Sequence, residues 1–303
     1  MIHKMNNKIK KSAGSITFDI FNYVFLFLLS VIMVYPLLNV VAVSFSSADA
    51  ITAGKVSWLP IDFNIHGYEV MLRNSEIFVA YKNTIIYTVL GTLIALLVCS
   101  LVAYTLAVRD FVFRKLYTGM LVFTMFFNAG LIPTFLNIKN LGLLDSIWAI
   151  ILPSCVSAYN VFVFRTFFSG VSNELREAAQ IDGANEFLIW QKIFVPLSKA
   201  VFATIALFEA VNRWNAWFDA LLYLNDTTKF PLQMILRKIV ILDEVRGGSY
   251  ADSEVSNMIQ SYNIHSKNIQ MAAIVISMVP ILMVYPFIQK YFAKGVMLGS
   301  VKG

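Results

Sequence analysis

The chain has 303 residues, of which 58% are hydrophobic and 14% are charged, whereas soluble globular domains carry about 25% charged residues. Its formal net charge is +6, but most basic residues stand near the ends of apolar runs, which is typical of membrane loops rather than of a nucleic-acid-binding surface. The composition therefore excludes an ordinary soluble domain and predicts an all-α, polytopic membrane protein without a nucleic-acid partner.

Six apolar segments are each long enough to cross a hydrocarbon core about 30 Å thick, which takes roughly 20 helical residues. Because backbone groups in lipid must be satisfied within the segment, we expect all six to be transmembrane helices of one domain, residues 1–303. The segments are Phe21–Phe45, Asn83–Val108, Leu116–Ile138, Ile147–Phe168, Val201–Leu224 and Met271–Phe292.

The basic residues predict that both termini lie in the cytoplasm, since cytoplasmic loops carry an excess of Lys and Arg. The first apolar segment is too long for the core of a signal peptide and is interpreted as an uncleaved anchor. On this orientation the inside segments hold Lys4, Lys8, Lys10, Lys11, Arg109, Arg114, Lys115, Arg165, Arg176, Lys192, Lys199, Lys290, Lys294 and Lys302.

The inside segment between the fourth and fifth apolar segments, residues 171–198, is long and patterned. Ser172 is a helix-start residue, and Glu174 and Glu177 follow in the first turns, where the helix dipole favours negative charge. Gly183 permits a sharp turn, after which aromatic residues recur at helical spacing. The pattern predicts a helix–turn–helix on the cytoplasmic surface, which either contacts another protein or rests on lipid.

This segment resembles a motif of ABC importer permeases: Glu-Ala-Ala, three residues, Gly, nine residues, then Ile-x-Leu-Pro. The chain has Glu177-Ala178-Ala179, Gly183 and Ile193-Phe194-Val195-Pro196 at the same spacing, with Val195 in place of Leu. Further stretches are similar to the carbohydrate-uptake, maltose-type permeases, and to the lipoprotein-linked polysaccharide permeases most of all. They are Ala103–Ala107, Asn128–Pro133, Trp214–Trp217 and the tail Gln289–Gly303, in which Ser300 replaces Ala.

The resemblance implies a type I ABC importer permease fold with six spans, in the plasma membrane. It implies that residues 171–198 form the coupling helix, which sits in a cleft of a separate ATPase subunit that binds ATP and Mg. The other implied partners are a second permease subunit, a second ATPase subunit, an extracellular solute-binding protein and an oligosaccharide. The coupling residues would be Glu177, Ala178, Ala179, Asp182 and Gly183.

The fifth apolar segment carries Glu209 and Arg213, which lie on one helical face four residues apart. Charges within a membrane are costly and face a bundle interior or a water-filled cavity. Two interpretations stay open: an internal ion pair that fixes helix packing, or part of a sugar path in which amides and aromatic rings contact the substrate. The residues to which both interpretations apply are Asn128, Asn160, Glu209, Asn212, Arg213, Trp214 and Asn215.

The outside segment 225–267 is long and polar. By resemblance it faces the solute-binding protein, and a solvated flexible loop is an equal alternative.

The same residues bear on other functional classes. An ion-coupled secondary transporter usually has two related repeats, and no clear internal repeat is present. The sequence has no nucleophile–base set, no metal-ligand spacing and no Walker loop, so we expect no enzyme activity and no cofactor of its own. An importer of a non-sugar solute remains an alternative.

Overall fold

The computed structural model describes residues 12–247 and 267–299. Helices account for most of these residues, and the described ranges contain no β-strand. The helices are α1 (Ala13–Ser44), α2 (Ala48–Thr52), α3 (His66–Arg73), α4 (Ser75–Ala107), α5 (Arg114–Phe126), α6 (Leu131–Asn140), α7 (Ile147–Ile151), α8 (Ala158–Phe168), α9 (Asn173–Ile181), α10 (Glu186–Leu197), α11 (Lys199–Trp214), α12 (Phe218–Tyr223), α13 (Leu232–Gly247) and α14 (Lys267–Gly299).

The chain divides into two compact units, of which the first comprises residues up to 71 together with 263–275. Its main element is α1, whose apolar side chains are exposed along most of its length, whereas Ala42 and Val43 near its end are buried. Where α1 ends, the hydroxyls of Ser44 and Tyr68 lie 2.7 Å apart. Gly67 lies so close to the start of α14 that an added Cβ would stand 3.0 Å from the carbonyl oxygen of Asn268.

The second unit, residues 72–262 with 276–303, has its core where α4 packs against α8 and α11. Small residues at four-residue spacing on α4, Ala95, Cys99 and Ala103, are buried, and they allow the helices to approach closely. Both cysteines are free. The largest buried side chains of this core include Phe164 and Phe168 of α8, so aromatic volume fills the space that the small residues leave.

The predicted count of six unbroken spans is not confirmed. Within residues 12–247 and 267–299, three helices are long and apolar enough to cross a membrane, in α1, α4 and α14. Two bent pairs raise the count to five if each pair is one span: α5 with α6 at 119°, and α10 with α11 at 86°.

The breaks have local causes that hydropathy does not register. Gly130, between α5 and α6, has φ +90°, a backbone conformation that favours glycine. Between α7 and α8 the helix stops before Pro153, which lacks a backbone donor, and restarts at Ser157, whose hydroxyl accepts from the Asn160 N–H. Within residues 201–224, one helix ends at Trp214 and the next begins at Phe218.

Several sequence predictions lie outside the described residues: the N-terminal lysines, the middle of the outside segment at 248–266, and the last four residues of the tail.

Candidate functional site: the exposed elbow and the buried polar cluster

Residues 172–190 form an elbow of two helices, as the sequence predicts. The first helix, α9, begins after Ser172, whose hydroxyl accepts the Glu174 N–H at 3.2 Å. The chain turns at Gly183, which has φ +82°. The Asn185 side chain then caps α10 by accepting the Leu188 N–H at 2.8 Å. Two caps and one left-handed glycine therefore fix the shape of the elbow.

The outer face of the elbow is exposed. Of the predicted coupling residues, Glu177, Ala178, Asp182 and Gly183 are exposed, whereas Ala179 is half-buried and packs against the core. Ile181, at the end of α9, is 86% exposed.

Glu186 fastens the elbow to the rest of the second unit. Its carboxylate accepts hydrogen bonds from Arg176 Nη2 at 2.7 Å and from Gln180 Nε2 at 2.8 Å, and a further one from the Tyr104 hydroxyl of α4. Arg176 also lies 3.6 Å from Asp110. The Arg176 guanidinium holds the pKa of the Glu186 carboxyl below its usual range. We call Glu186, Arg176, Gln180 and Tyr104 the clamp.

Sequence reasoning missed the clamp. Arg176 and Glu186 are ten residues apart, on different helices, so no helical spacing relates them. The sequence shows only that Arg176 and Glu186 are charged residues near the Glu-Ala-Ala motif, which does not indicate that they pair with each other.

An aromatic cluster lies beneath the clamp. The rings of Tyr104 and Phe194 meet edge-on with centroids 4.8 Å apart, and Phe168 meets Phe194 at 5.5 Å. Phe168, Trp190 and Phe194 are buried. The backbone from Trp190 to Phe194 is a π-turn inside α10, a feature frequent at functional sites. Displacing the elbow therefore requires moving packed rings of α4, α8 and α10.

A recess of about 510 Å³ opens beside the start of α9. Its polar lining includes Arg109, Arg114, Ser172 and Asn173. The elbow thus presents both a projecting apolar residue and an adjoining basic concavity.

The charged pair of the fifth apolar segment is buried and linked to α8. Arg213 Nε lies 3.3 Å from Glu209 Oε2, and Asn160 Nδ2 donates to Glu209 Oε1 at 2.6 Å. Arg213 Nη2 donates to the Ser154 carbonyl at 3.0 Å. A Cβ at Gly91 would lie 2.4 Å from Arg213 Nη1, so glycine is what lets the guanidinium rest against α4.

The structure does not bring the other candidates into this cluster. Asn128 caps its own turn, accepting the Gly130 N–H at 2.9 Å. Trp214 is buried and donates to the Ser277 carbonyl at 3.3 Å. Asn212 is exposed. Asn215 donates to the Val211 carbonyl at 2.9 Å and accepts from Gln233 at 3.4 Å.

Comparisons with known proteins agree with this architecture. The chain is 42% identical over 286 residues to the polygalacturonan/rhamnogalacturonan transport system permease protein YtcP of Bacillus subtilis, covering 94% of this chain and 98% of that protein. It is 39% identical to protein LplC of the same organism, over 100% and 99% of the two chains. The solved structure of a bacterial ABC transporter involved in import of the acidic polysaccharide alginate contains a similar chain, with a TM-score of 0.84, 34% identity and coverage of 94% and 99%.

Residues 107–298 match the family described as binding-protein-dependent transport system inner membrane component. That range contains the elbow, the clamp apart from Tyr104, and the buried pair of Glu209 and Arg213. The chain therefore belongs to the family of inner membrane components of binding-protein-dependent transport systems.

Proposed function

We propose that this chain is the permease subunit of an ATP-driven importer, and that the elbow couples it to the ATPase. In this family the permease works with a second permease and with separate ATPase subunits that hydrolyse ATP with Mg, so the chain is not itself an enzyme. The observation that carries the coupling proposal is an exposed elbow tied through the clamp to the end of α4.

The proposed cargo is an oligosaccharide or a related carbohydrate. The names of the similar proteins support it, since YtcP is a permease for polygalacturonan and rhamnogalacturonan, and the solved transporter imports alginate. They favour this cargo over a non-sugar solute. An extracellular solute-binding protein would deliver the sugar, and this chain would form half of the path.

The proposed coupling contact is residues 171–198, with Glu177, Ala178, Ala179, Asp182 and Gly183 on or beside it. Their support is positional: the exposed side chains lie on the face that the clamp leaves free. Ile181 and the recess beside Arg109 and Arg114 extend the same surface. A lever needs a rigid helix on one side and a fixed attachment on the other, and the elbow has both.

Members of the family are multi-pass proteins of the inner membrane. We propose that both termini face the cytoplasm, together with the elbow. The basic residues of the inside segments support this orientation. No cofactor of this chain's own is proposed.

The proposed path residues differ in how each side chain is engaged. Asn160 donates to Glu209, and Arg213 lies within ion-pair distance of the same carboxylate, which supports a structural ion pair more than a substrate contact. Asn212 and Asn215, near the end of α11, are exposed and remain path candidates. Asn128 and Trp214 are proposed only as neighbours of the path, since each is engaged locally.

The experiment compares Glu177→Lys with Glu69→Lys in the transporter reconstituted with its partner permease, ATPases and binding protein. Glu177→Lys reverses a charge on the proposed contact and should abolish oligosaccharide uptake while the chain stays in the membrane. Glu69→Lys makes the same change at an exposed carboxylate of α3, outside the elbow, and should retain most of the uptake. Undiminished uptake by Glu177→Lys would refute the coupling proposal. ATP hydrolysis by the purified chain alone would refute the subunit assignment.

A further inference from the structure

A small polar cavity lies at the break between α11 and α12. Its volume is about 30 Å³, and its polar lining consists of Tyr87, Ser154, Arg213 and Asp219. These residues come from α4, from the break between α7 and α8, from α11 and from α12. The space has room for one or two water molecules and is far too small for a sugar ring. Its polar groups therefore serve the protein rather than the cargo.

Arg213 brings uncommitted hydrogen-bond donors to this cavity. A guanidinium has five N–H groups, and the only hydrogen bond of this side chain within residues 12–247 and 267–299 runs from Nη2 to the Ser154 carbonyl. Arg213 Nε lies 3.3 Å from Glu209 Oε2 but makes no hydrogen bond. The residue is 8% exposed. Because buried donors are normally satisfied by protein groups or by ordered water, the remaining N–H groups require a partner inside the fold.

Asp219 brings an unpaired acceptor to the same cavity. It stands beyond the end of α11, in the first turn of α12, and its side chain is partly buried. In the part of the chain that the structure describes, its carboxylate has no hydrogen bond and no direct ion pair, although it interacts electrostatically with Arg213. A carboxylate without a donor and a guanidinium with spare donors thus line one water-sized space.

The lining meets the requirements of a buried water site. Such a water makes two to four hydrogen bonds to groups that are otherwise unsatisfied. Arg213 can donate to it, and Asp219 can accept from it. The Tyr87 hydroxyl donates to the Lys229 carbonyl at 2.7 Å and keeps its own lone pairs for a further donor. The cavity therefore offers a water one donor and two acceptors.

We propose that an ordered water in this cavity joins Arg213 to Asp219, and that Asp219 is thereby the second counter-ion of Arg213. Glu209 compensates the guanidinium from its own helix, α11, whereas Asp219 compensates it from α12. Sharing one cation between two carboxylates ties the two helices together where the backbone between them, residues 215–217, is not helical. The inference goes beyond the proposed function, since it depends neither on the cargo nor on the ATPase contact.

The test is a set of charge-removing variants in the complete detergent-solubilised transporter, compared by thermal unfolding. Glu209→Gln and Asp219→Asn keep the shapes of the side chains, and each leaves Arg213 with one carboxylate. A third variant combines these two substitutions. A fourth adds Arg213→Met to the pair, which removes the charge that the pair strands. Glu69→Gln, at an exposed carboxylate of α3, is the matched control.

Each single substitution should lower the unfolding midpoint by about 2–4 °C, because one counter-ion remains. The combined variant should lose about 10 °C or more, well beyond the sum, because it leaves a buried cation without a counter-ion. Adding Arg213→Met should recover most of that loss, and Glu69→Gln should match the wild type. Losses that simply add, or a combined loss that Arg213→Met does not relieve, would overturn the shared cation.

The water is tested by a structure of the assembled transporter at a resolution that shows ordered waters. One water should lie within hydrogen-bond distance of both the Arg213 guanidinium and the Asp219 carboxylate. A direct ion pair between these two groups, or a cavity without a water, would overturn the bridge. These measurements concern stability and structure, so either result is obtained whether or not the transporter imports an oligosaccharide.

Discussion

At the scale of single residues, Arg213 shows how a charge is kept inside a helical membrane protein. Its partners are a carboxylate four residues earlier and a carbonyl on the break between α7 and α8. Glu209 receives a further bond from Asn160. Removing one partner of a buried ion pair is more damaging than replacing both, since it leaves an uncompensated charge.

This asymmetry gives the first prediction for a single site. Arg213→Ala should lower the free energy of unfolding by roughly 3–5 kcal/mol, because Glu209 loses its counter-ion. The double variant Arg213→Met with Glu209→Gln should lose clearly less, since neither remaining side chain is charged. Thermal unfolding of the detergent-solubilised proteins measures both. Equal losses in the two variants would show that the charges are not coupled.

Like Arg213, Glu186 is a charged residue whose contribution depends on its hydrogen-bond partners. Its folded-state pKa is lowered, with the hydrogen bond from Arg176 as the main cause. The stabilising contribution is therefore present above the unfolded pKa of about 4.3 and is lost only as the pH falls through the lower folded value. Glu186 and Arg176 therefore both stay charged throughout the physiological pH range.

Glu186→Gln keeps the shape of the side chain and removes its charge. Glu186 is half exposed, so screening limits the loss of stability to about 1 kcal/mol. The expected effect lies in coupling: fewer sugars imported per ATP hydrolysed, because the elbow moves without α4. The matched control is Glu69→Gln at an exposed carboxylate of α3, which should keep the wild-type ratio. An unchanged ratio in Glu186→Gln would show that the clamp does not transmit motion.

At the scale of elements, three chain segments meet in a polar clasp formed by Asp145, Asp226 and Lys229. Lys229 Nζ donates to the carbonyl and the carboxylate of Asp145, both at 2.8 Å, and Asp145 Oδ1 accepts the backbone N–H groups of residues 225 and 226. The Tyr87 hydroxyl of α4 donates to the Lys229 carbonyl at 2.7 Å. The beginning of the outside segment is thus an ordered structure that reaches from α12 to α13.

The clasp has a defined pH window. The hydrogen bond from Lys229 lowers the pKa of Asp145, and Asp145 in turn raises the pKa of Lys229. The carboxylate contribution is lost only as pH falls below about 4, and the ammonium contribution only as pH rises above about 10.

Asp145→Asn should therefore increase the hydrogen exchange of residues 224–230 at pH 7, because Lys229 loses its counter-ion. The asparagine still tolerates the positive φ of this position, +57°, and keeps one acceptor oxygen. In the wild type, exchange protection corrected for intrinsic rates should be the same at pH 5 and pH 8. Protection unchanged by the substitution, or lost in the wild type between pH 5 and pH 8, would refute the account of the clasp.

The sequence predicts a helix or a turn correctly where the residues that determine it are close together in the chain. The caps at Ser172 and Asn185 and the turn at Gly183 sit where residue chemistry requires them. The unbroken helices predicted across residues 116–138, 147–168 and 201–224 are interrupted instead. Hydropathy sums over a window, so it does not register one glycine conformation or one proline between two caps.

At the scale of the whole molecule, the sequence identified the membrane class and the transporter family, because composition and motif spacing are properties of the chain alone. It did not identify which residues meet across long separations. Tyr104 with Glu186 and Asn160 with Glu209 are pairs set by the packing of α4, α8, α10 and α11. Such pairs depend on tertiary structure, which no local spacing along the chain encodes.

The central claim is that the elbow is the contact through which a separate ATPase moves this chain. Its most direct test places a cysteine at Ile181, the most exposed apolar residue of α9, in a background of Cys99→Ala and Cys155→Ser. In the assembled transporter this cysteine should cross-link to the ATPase subunit, and removal of the ATPase should expose it to a maleimide added from the cytoplasmic side. Labelling from the outer side, or no cross-link in an active complex, would contradict the account.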